Sequence, residues 1–182
     1  STWMSLQEYV LLGRLPYFKK YQFFETKKDE EIVEKYMTLT DTIRMKDAAM
    51  NALSGGERQL ASIARALSQE PVLMLMDEPT SHLDITHQAR ILELVKELNQ
   101  QWGLTIVTVL HDLNLASEYS DRLALLQQGR IYKTGAPAEV LTTETIEAVY
   151  QTRVLVTPNP LSGKPCIFPI RGGNRVSPCP SR

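Results

Sequence analysis

The chain has 182 residues, with 20 lysines and arginines against 21 aspartates and glutamates, so its formal net charge is -1. Hydrophobic residues make up 43% of it and charged residues 23%, a globular composition that excludes disorder of the whole chain. The near-zero charge argues against a broad basic surface for nucleic acid or an anionic membrane, so we expect any anion site to be local. No apolar run approaches the roughly 18 residues of a membrane span, and the two cysteines form no disulfide framework, which favours a reducing compartment.

Residues 1–53 are predicted to form a helical subdomain. Ser5 is placed to cap a first helix that ends near Gly13, and a charged second helix is predicted from about Lys27 to Met37. Aromatic residues and lysines alternate between these helices, a mixture compatible with stacking on single-stranded nucleic acid. We favour packing of a small helical subdomain, because the net charge supplies no field that would attract nucleic acid.

From residue 54 to residue 150, helices alternate with short apolar strands, the pattern of an α/β fold with a mostly parallel sheet and flanking helices. Because the strand predicted at 72–76 is apolar at every position, we expect both of its faces to be covered, and we expect a second buried strand at 104–110. A hairpin turn is predicted at Gln128 and Gly129. The predicted helices cover residues 56–69, 86–102 and 112–119, a third strand covers 122–126, and two short helices begin at Pro137 and Thr143.

Residues 151–182 are predicted to be a C-terminal tail. Six of the ten prolines lie beyond residue 157, and residues 171–182 consist mostly of glycine, proline, serine and arginine. We therefore expect disorder beyond about residue 170.

The first candidate site is the sequence LSGGE at residues 53–57. Ser54 and Glu57 have the spacing of a capping box, which places Gly55 and Gly56 in the first turn of a helix. Bare N–H groups there, together with the helix dipole, favour binding of an anion such as phosphate. An ordinary capped helix start explains the same residues.

The second candidate site lies where two predicted strands end. Asp77 and Glu78 follow the first strand, and His111 follows the second, at the edge where open parallel sheets bind ligands. Asp77 is suited to hold Mg2+, Glu78 to act as general base toward a water, and His111 to contact a terminal phosphate. Solvated acids and a structural histidine are the alternative. His82 and His87 lack a third ligand, so we expect no metal site there.

Together these motifs resemble the ATP-binding subunit of ABC transporters. Residues 53–57 are similar to the family signature, 72–77 to Walker B and 81–84 to the D-loop, while Glu78 matches the catalytic glutamate and His111 the switch histidine. A narrower resemblance points to the importer branch for iron-siderophore, haem or cobalamin uptake. It rests on residues 12–16 (LGRLP), 134–141 (TGAPAEVL) and 158–165 (PNPLSGKP).

The resemblance implies a P-loop NTPase-like fold and an ABC-type ATPase with ATP and Mg2+ as cofactors. It implies nucleotide binding across a head-to-tail dimer, with a transmembrane permease rather than nucleic acid as the further partner, and a peripheral position on the cytoplasmic face of the membrane. Residues 1–50 would include the permease-facing surface. The implied site residues are Ser54, Gly55, Gly56, Glu57 and Asp84 for the nucleotide, Asp77 for the metal, and Glu78 and His111 for catalysis.

The sequence contains no G-x-x-x-x-G-K-[ST] phosphate-binding loop, the Walker A motif. Its single Gly-Lys pair, at Gly163 and Lys164, has Pro158 in place of the first glycine of that motif and Pro165 after the lysine. We therefore expect the C-terminal part of an ABC ATPase, inactive alone. Two alternatives stay open: a degenerate binding or regulatory module that docks on a full-length ATPase, and an ABC ATPase of another transport branch.

Overall fold

The computed structural model describes residues 4–20 and 24–171, which belong to two units, Ser1–Val109 and Leu110–Arg182. The predicted boundaries at residues 53 and 150 differ from this division, and the three-part organisation stays a prediction. Across the described ranges, no helix is both long enough and apolar enough to cross a membrane.

Four α-helices form the larger part of the first unit. They are α1 (Leu6–Leu11), α2 (Lys27–Leu39), α3 (Gly55–Leu67) and α4 (Ile85–Trp102), accompanied by 3-10 turns at Leu12–Tyr17, Ile43–Met45 and Met50–Ala52. Capping boxes at Ser5, Thr26 and Ser54 begin α1, α2 and α3, and Gly103, in the left-handed region at φ 65°, ends α4. These helices confirm the predictions to within two residues at each end.

Helix α3 contributes to both hydrophobic clusters of this unit. Leu60 and Ile63 pack with residues of α4 and of the strand at Leu73–Asp77, which follows α3 in the chain. Ala61 and Ala64 pack with residues of α1 and α2. Large side chains on one face and small ones on the other let a single helix serve both clusters. The helical residues before residue 54 are therefore joined to the rest of the unit through shared packing on α3.

Two parallel strands, β1 (Leu73–Asp77) and β2 (Thr105–Val109), pair in register from Leu73 opposite Thr105 to Asp77 opposite Val109. Helix α4 provides the crossover between them, as the alternating pattern predicts.

The expectation that both faces of this sheet are covered is wrong. Met74 and Met76 are buried, but Leu75 is 73% exposed, and Val107 of β2 is 55% exposed. The buried side chains pack against α3 and α4, which lie on one face of the sheet. No described element of this unit covers the other face, so continuous apolar character did not indicate burial on both sides.

The second unit contains three helices and two antiparallel hairpins. The helices are α5 (Leu113–Tyr119), α6 (Pro137–Val140) and α7 (Thr143–Tyr150); the strands are β3 (Leu123–Gln127), β4 (Arg130–Gly135), β5 (Val154–Pro158) and β6 (Pro165–Pro169). The helices and the β3–β4 hairpin confirm the predictions. Among described strands, parallel pairing is confined to β1 and β2.

Residues 154–169 are an ordered hairpin rather than the predicted tail. Asn114 donates to the Ile167 carbonyl at 3.2 Å and accepts from its N–H at 2.7 Å, while Ser117 donates to the Pro165 carbonyl at 2.7 Å. Val154 and Ile167 are buried with residues of β3, α6 and α7. The predicted disorder concerns mainly residues 172–182, which lie outside the described residues.

Candidate functional site

The turn at residues 54–57, which we call the signature turn, begins α3. Ser54 Oγ accepts from the Glu57 N–H at 3.2 Å, and Glu57 Oε2 accepts from the Ser54 N–H at 2.7 Å. The hydrogen bond from the Ser54 backbone N–H, followed by one from the Ser54 side chain, holds the pKa of the Glu57 carboxyl below its usual value. The first-turn N–H groups of a helix have no acceptor within that helix, so those of Gly55 and Gly56 suit an anion.

Gly56 is required by a close approach to α4. A Cβ at this position would overlap the ring of His87, and a Cβ at Gly55 would lie 3.3 Å from the side chain of Leu83. The predicted glycines therefore do more than expose backbone to a ligand. They let the signature turn pack against α4 and against the segment at residues 81–84, which we call the D-loop.

Asp84 ends the D-loop and caps α4. Its Oδ1 accepts from the His87 N–H at 2.9 Å, and both of its carboxylate oxygens lie 2.9 Å from His87 Nδ1. The backbone hydrogen bond from His87, followed by the one from its side chain, lowers the pKa of the Asp84 carboxyl. His87, predicted to have no metal-binding role, is a neighbour of two predicted site residues.

Asp77 and Glu78 lie at the carboxyl end of β1. Asp77 is exposed, and the Glu78 N–H donates to the Val109 carbonyl at 3.1 Å. Glu78 has φ 47°, a left-handed backbone that non-glycine residues adopt mainly where the surroundings impose it, often at functional sites. Ser81 Oγ donates to Glu78 Oε2 at 2.7 Å, so the D-loop also orients this carboxylate.

In the first unit, the D-loop and His87 connect predicted site residues of the signature turn to those at the end of β1. The signature turn contacts the D-loop through Gly55 and Leu83 and contacts α4 through Gly56 and His87. The D-loop contacts the end of β1 through Ser81 and Glu78. His111 lies two residues after β2, within the second unit. Its proposed role and those of the other site residues stay predictions.

Arg14 is a buried ionic residue that the sequence reasoning did not single out. It is 4% exposed, and its guanidinium donates to Asp29 Oδ1 at 3.0 Å, to the Ser68 carbonyl at 2.7 Å and to Glu70 Oε2 at 3.1 Å. Burial raises the pKa of Asp29, but hydrogen bonds from Thr26 and Arg14 outweigh it and hold that pKa below its usual value. The sequence feature that could have indicated Arg14 is LGRLP at residues 12–16, which contains it. The sequence analysis used that segment only as a sign of family resemblance.

The chain is similar to known proteins over most of its length. Residues 4–81 match the ABC transporter family. The ferric enterobactin transport ATP-binding protein FepC of Escherichia coli is 43% identical over 167 residues, covering 92% of this chain and 61% of FepC. The hemin import ATP-binding protein HmuV of Vibrio cholerae is 40% identical over 170 residues, covering 91% of this chain and 64% of HmuV.

Solved structures agree on the fold. An inward-facing metal-chelate type ABC transporter superposes with a TM-score of 0.86 at 26% identity, covering 93% of this chain and 69% of that one. The dimeric bacterial ABC transporter cassette MJ0796 superposes with a TM-score of 0.62 at 28% identity, covering 72% of this chain and 56% of that one. The chain has the α/β fold of ABC ATPase cassettes and spans about three fifths of the relatives it matches. Its residues 4–81 belong to the ABC transporter family, and over most of its length the chain is similar to ATP-binding proteins of that family.

Proposed function

We propose that this chain is part of the ATP-binding and hydrolysing subunit of an ABC importer for an iron-siderophore complex, haem or cobalamin. The observation that carries the proposal is the 43% identity to the ferric enterobactin protein FepC over 92% of the chain. Relatives named for hemin import and cobalamin import, at 40% and 37% identity, support the same substrate classes. The subunit would work with a permease at the cytoplasmic face of a membrane.

The signature turn would contact ATP that is held by the opposite subunit of a dimer. Gly55 is exposed and carries no side chain, so a phosphate has access to its backbone. The N–H groups at the start of α3 would donate to the phosphate oxygens, and the helix dipole would favour their negative charge. Ser54 and Glu57 would hold the turn in shape through their reciprocal hydrogen bonds.

Asp77 and Glu78 would act on the phosphate that is transferred. A bound Mg2+ would neutralise charge that develops on the phosphate oxygens. Asp77 fits that ion, because it presents exposed carboxylate oxygens and Mg2+ usually takes only one or two carboxylates alongside waters and phosphate. Glu78, oriented by Ser81, would accept a proton from the attacking water at its carboxylate.

Asp84 and His111 would each have a role of its own. Asp84 would couple the D-loop to the opposite subunit, and His111 would contact the terminal phosphate. This chain alone is proposed to have negligible ATPase activity, because its sequence contains no Walker A motif and phosphoryl transfer depends chiefly on positioning and charge stabilisation.

The experiment joins the part of FepC outside the matched region, where the family resemblance places the Walker A motif, to the start of this chain, giving the FepC chimera. The chimera is expected to hydrolyse ATP, and Glu78→Gln is expected to reduce kcat by about 100-fold or more. Glu93→Gln, an exposed acid on α4, is the matched control and should leave kcat unchanged. A chimera that folds but does not hydrolyse ATP, or whose kcat is unchanged by Glu78→Gln, would contradict the proposal.

A further inference from the structure

His87 lies between the D-loop and the signature turn. It occupies the first turn of α4, where its backbone N–H and its ring Nδ1 both reach the carboxylate of Asp84 at 2.9 Å. The two contacts fix the ring relative to the D-loop. The side chain is 35% exposed, so its opposite ring edge is partly covered.

The covered part of the ring faces Gly56. A Cβ built on Gly56 would overlap Cδ2 and Cγ of the ring and would lie 3.0 Å from Nε2. Only a glycine backbone therefore fits against His87 in this arrangement. The Leu83 side chain makes a similar contact with the preceding glycine: it lies 3.3 Å from where a Cβ of Gly55 would be.

We infer that His87 is a positioning residue that holds the signature turn against the D-loop. Its ring fixes the direction in which the N–H groups of Gly55 and Gly56 point, and its backbone N–H bond to Asp84 connects that ring to the D-loop. The inference rests on the proposed function, because it names how this chain would present the signature turn to the nucleotide. Fixed donors cost less to order on binding than mobile donors do.

Melting of the chain without nucleotide tests the contact. Gly56→Ala is expected to lower Tm by about 5 °C, because the added methyl group meets the His87 ring. In a His87→Ala background the same change is expected to lower Tm by less than about 1 °C, because the ring is gone. Equal losses in the two backgrounds would overturn the inference.

Two substitutions of His87 separate its two contacts. His87→Phe keeps a ring over Gly56 but loses the side-chain bond to Asp84, whereas His87→Asn keeps a polar group for Asp84 but loses the ring. We expect amide hydrogen exchange at Glu57 and Arg58 to rise about fivefold in His87→Asn and to stay near the parent rate in His87→Phe. Equal exchange in both variants would overturn the role of the ring.

Kinetics of the FepC chimera provide a readout that general stability would not change. His87→Asn is expected to raise the KM for ATP about fivefold with kcat within about twofold, and His87→Phe to restore the parent KM. If the chimera is active and neither substitution changes its KM for ATP, the positioning role is overturned and the proposed function is unaffected. An inactive parent chimera would contradict the proposed function, while melting and exchange would still decide whether His87 holds the turn.

Discussion

Ser81 Oγ donates a hydrogen bond of 2.7 Å to Glu78 Oε2, which connects the D-loop to the proposed catalytic carboxylate. The Ser81 N–H also donates to the Glu78 carbonyl at 3.1 Å, so the turn that holds Glu78 in its left-handed backbone is closed by the same residue. Ser81 thus restricts both the side chain and the backbone of Glu78.

Removal of that hydroxyl should weaken catalysis more than nucleotide binding. In the FepC chimera, Ser81→Ala is expected to lower kcat about tenfold with KM within about twofold, because Glu78 loses an orienting hydrogen bond. Ser81→Thr, which keeps a hydroxyl, is the matched control and should retain most of the activity. Equal kcat in the alanine variant and the parent would show that Ser81 does not orient Glu78.

Arg14 should contribute strongly to stability because it is buried with its partners. Arg14→Ala is expected to lower the free energy of unfolding by about 3 kcal/mol, since Asp29 would remain buried without its cation. Arg90→Ala is the control, because both side chains of the Arg90–Asp41 ion pair are exposed. It is expected to lower the free energy of unfolding by less than about 1 kcal/mol. Urea unfolding of the two variants checks the difference, and similar losses would refute it.

The pH dependence of stability should report the lowered pKa of Asp29. Because the folded-state pKa is below the unfolded one, the stabilisation is complete above the unfolded pKa of about 3.9 and is lost as pH falls through the folded pKa. Urea unfolding between pH 5 and about pH 3 should therefore show a steeper loss in the parent than in Asp29→Asn. Parallel curves would contradict the assignment of this shift to the folded state.

The two faces of β1 should respond differently to substitution. Leu75→Thr is expected to change the free energy of unfolding by less than about 0.5 kcal/mol, because Leu75 is largely exposed. Met74→Ala, on the buried face, is expected to cost about 2–4 kcal/mol. Equal costs would show that a further element covers the Leu75 face in solution.

Local signals in the sequence predicted the helices well. Ser5 and Ser54 form the capping boxes that their spacing indicates, and the predicted bounds of α3 and α4 agree with the structure to within two residues. Each of these features depends on residues within one or two helical turns. Over that range, the spacing of residues in the sequence is enough to predict the structure.

Contacts between distant residues could not be predicted in this way. The β5–β6 hairpin was missed because prolines at its strand ends, Pro158, Pro165 and Pro169, are typical of loops, while its order depends on Asn114, more than fifty residues from Ile167. The pairing of His87 with Gly56 likewise required the packing of α4 against α3. Burial of one face of β1 depends on which helices lie beside it.

The most direct test of a signature turn that acts across a dimer is sedimentation velocity of the FepC chimera carrying Glu78→Gln, with and without ATP and Mg2+. Because this variant is expected to bind ATP without hydrolysing it, ATP should convert monomers into dimers. Gly55→Glu, which places a carboxylate where a phosphate would lie, should abolish that dimer. A Glu78→Gln chimera that stays monomeric with bound ATP, or a dimer unaffected by Gly55→Glu, would contradict the proposed role of the signature turn.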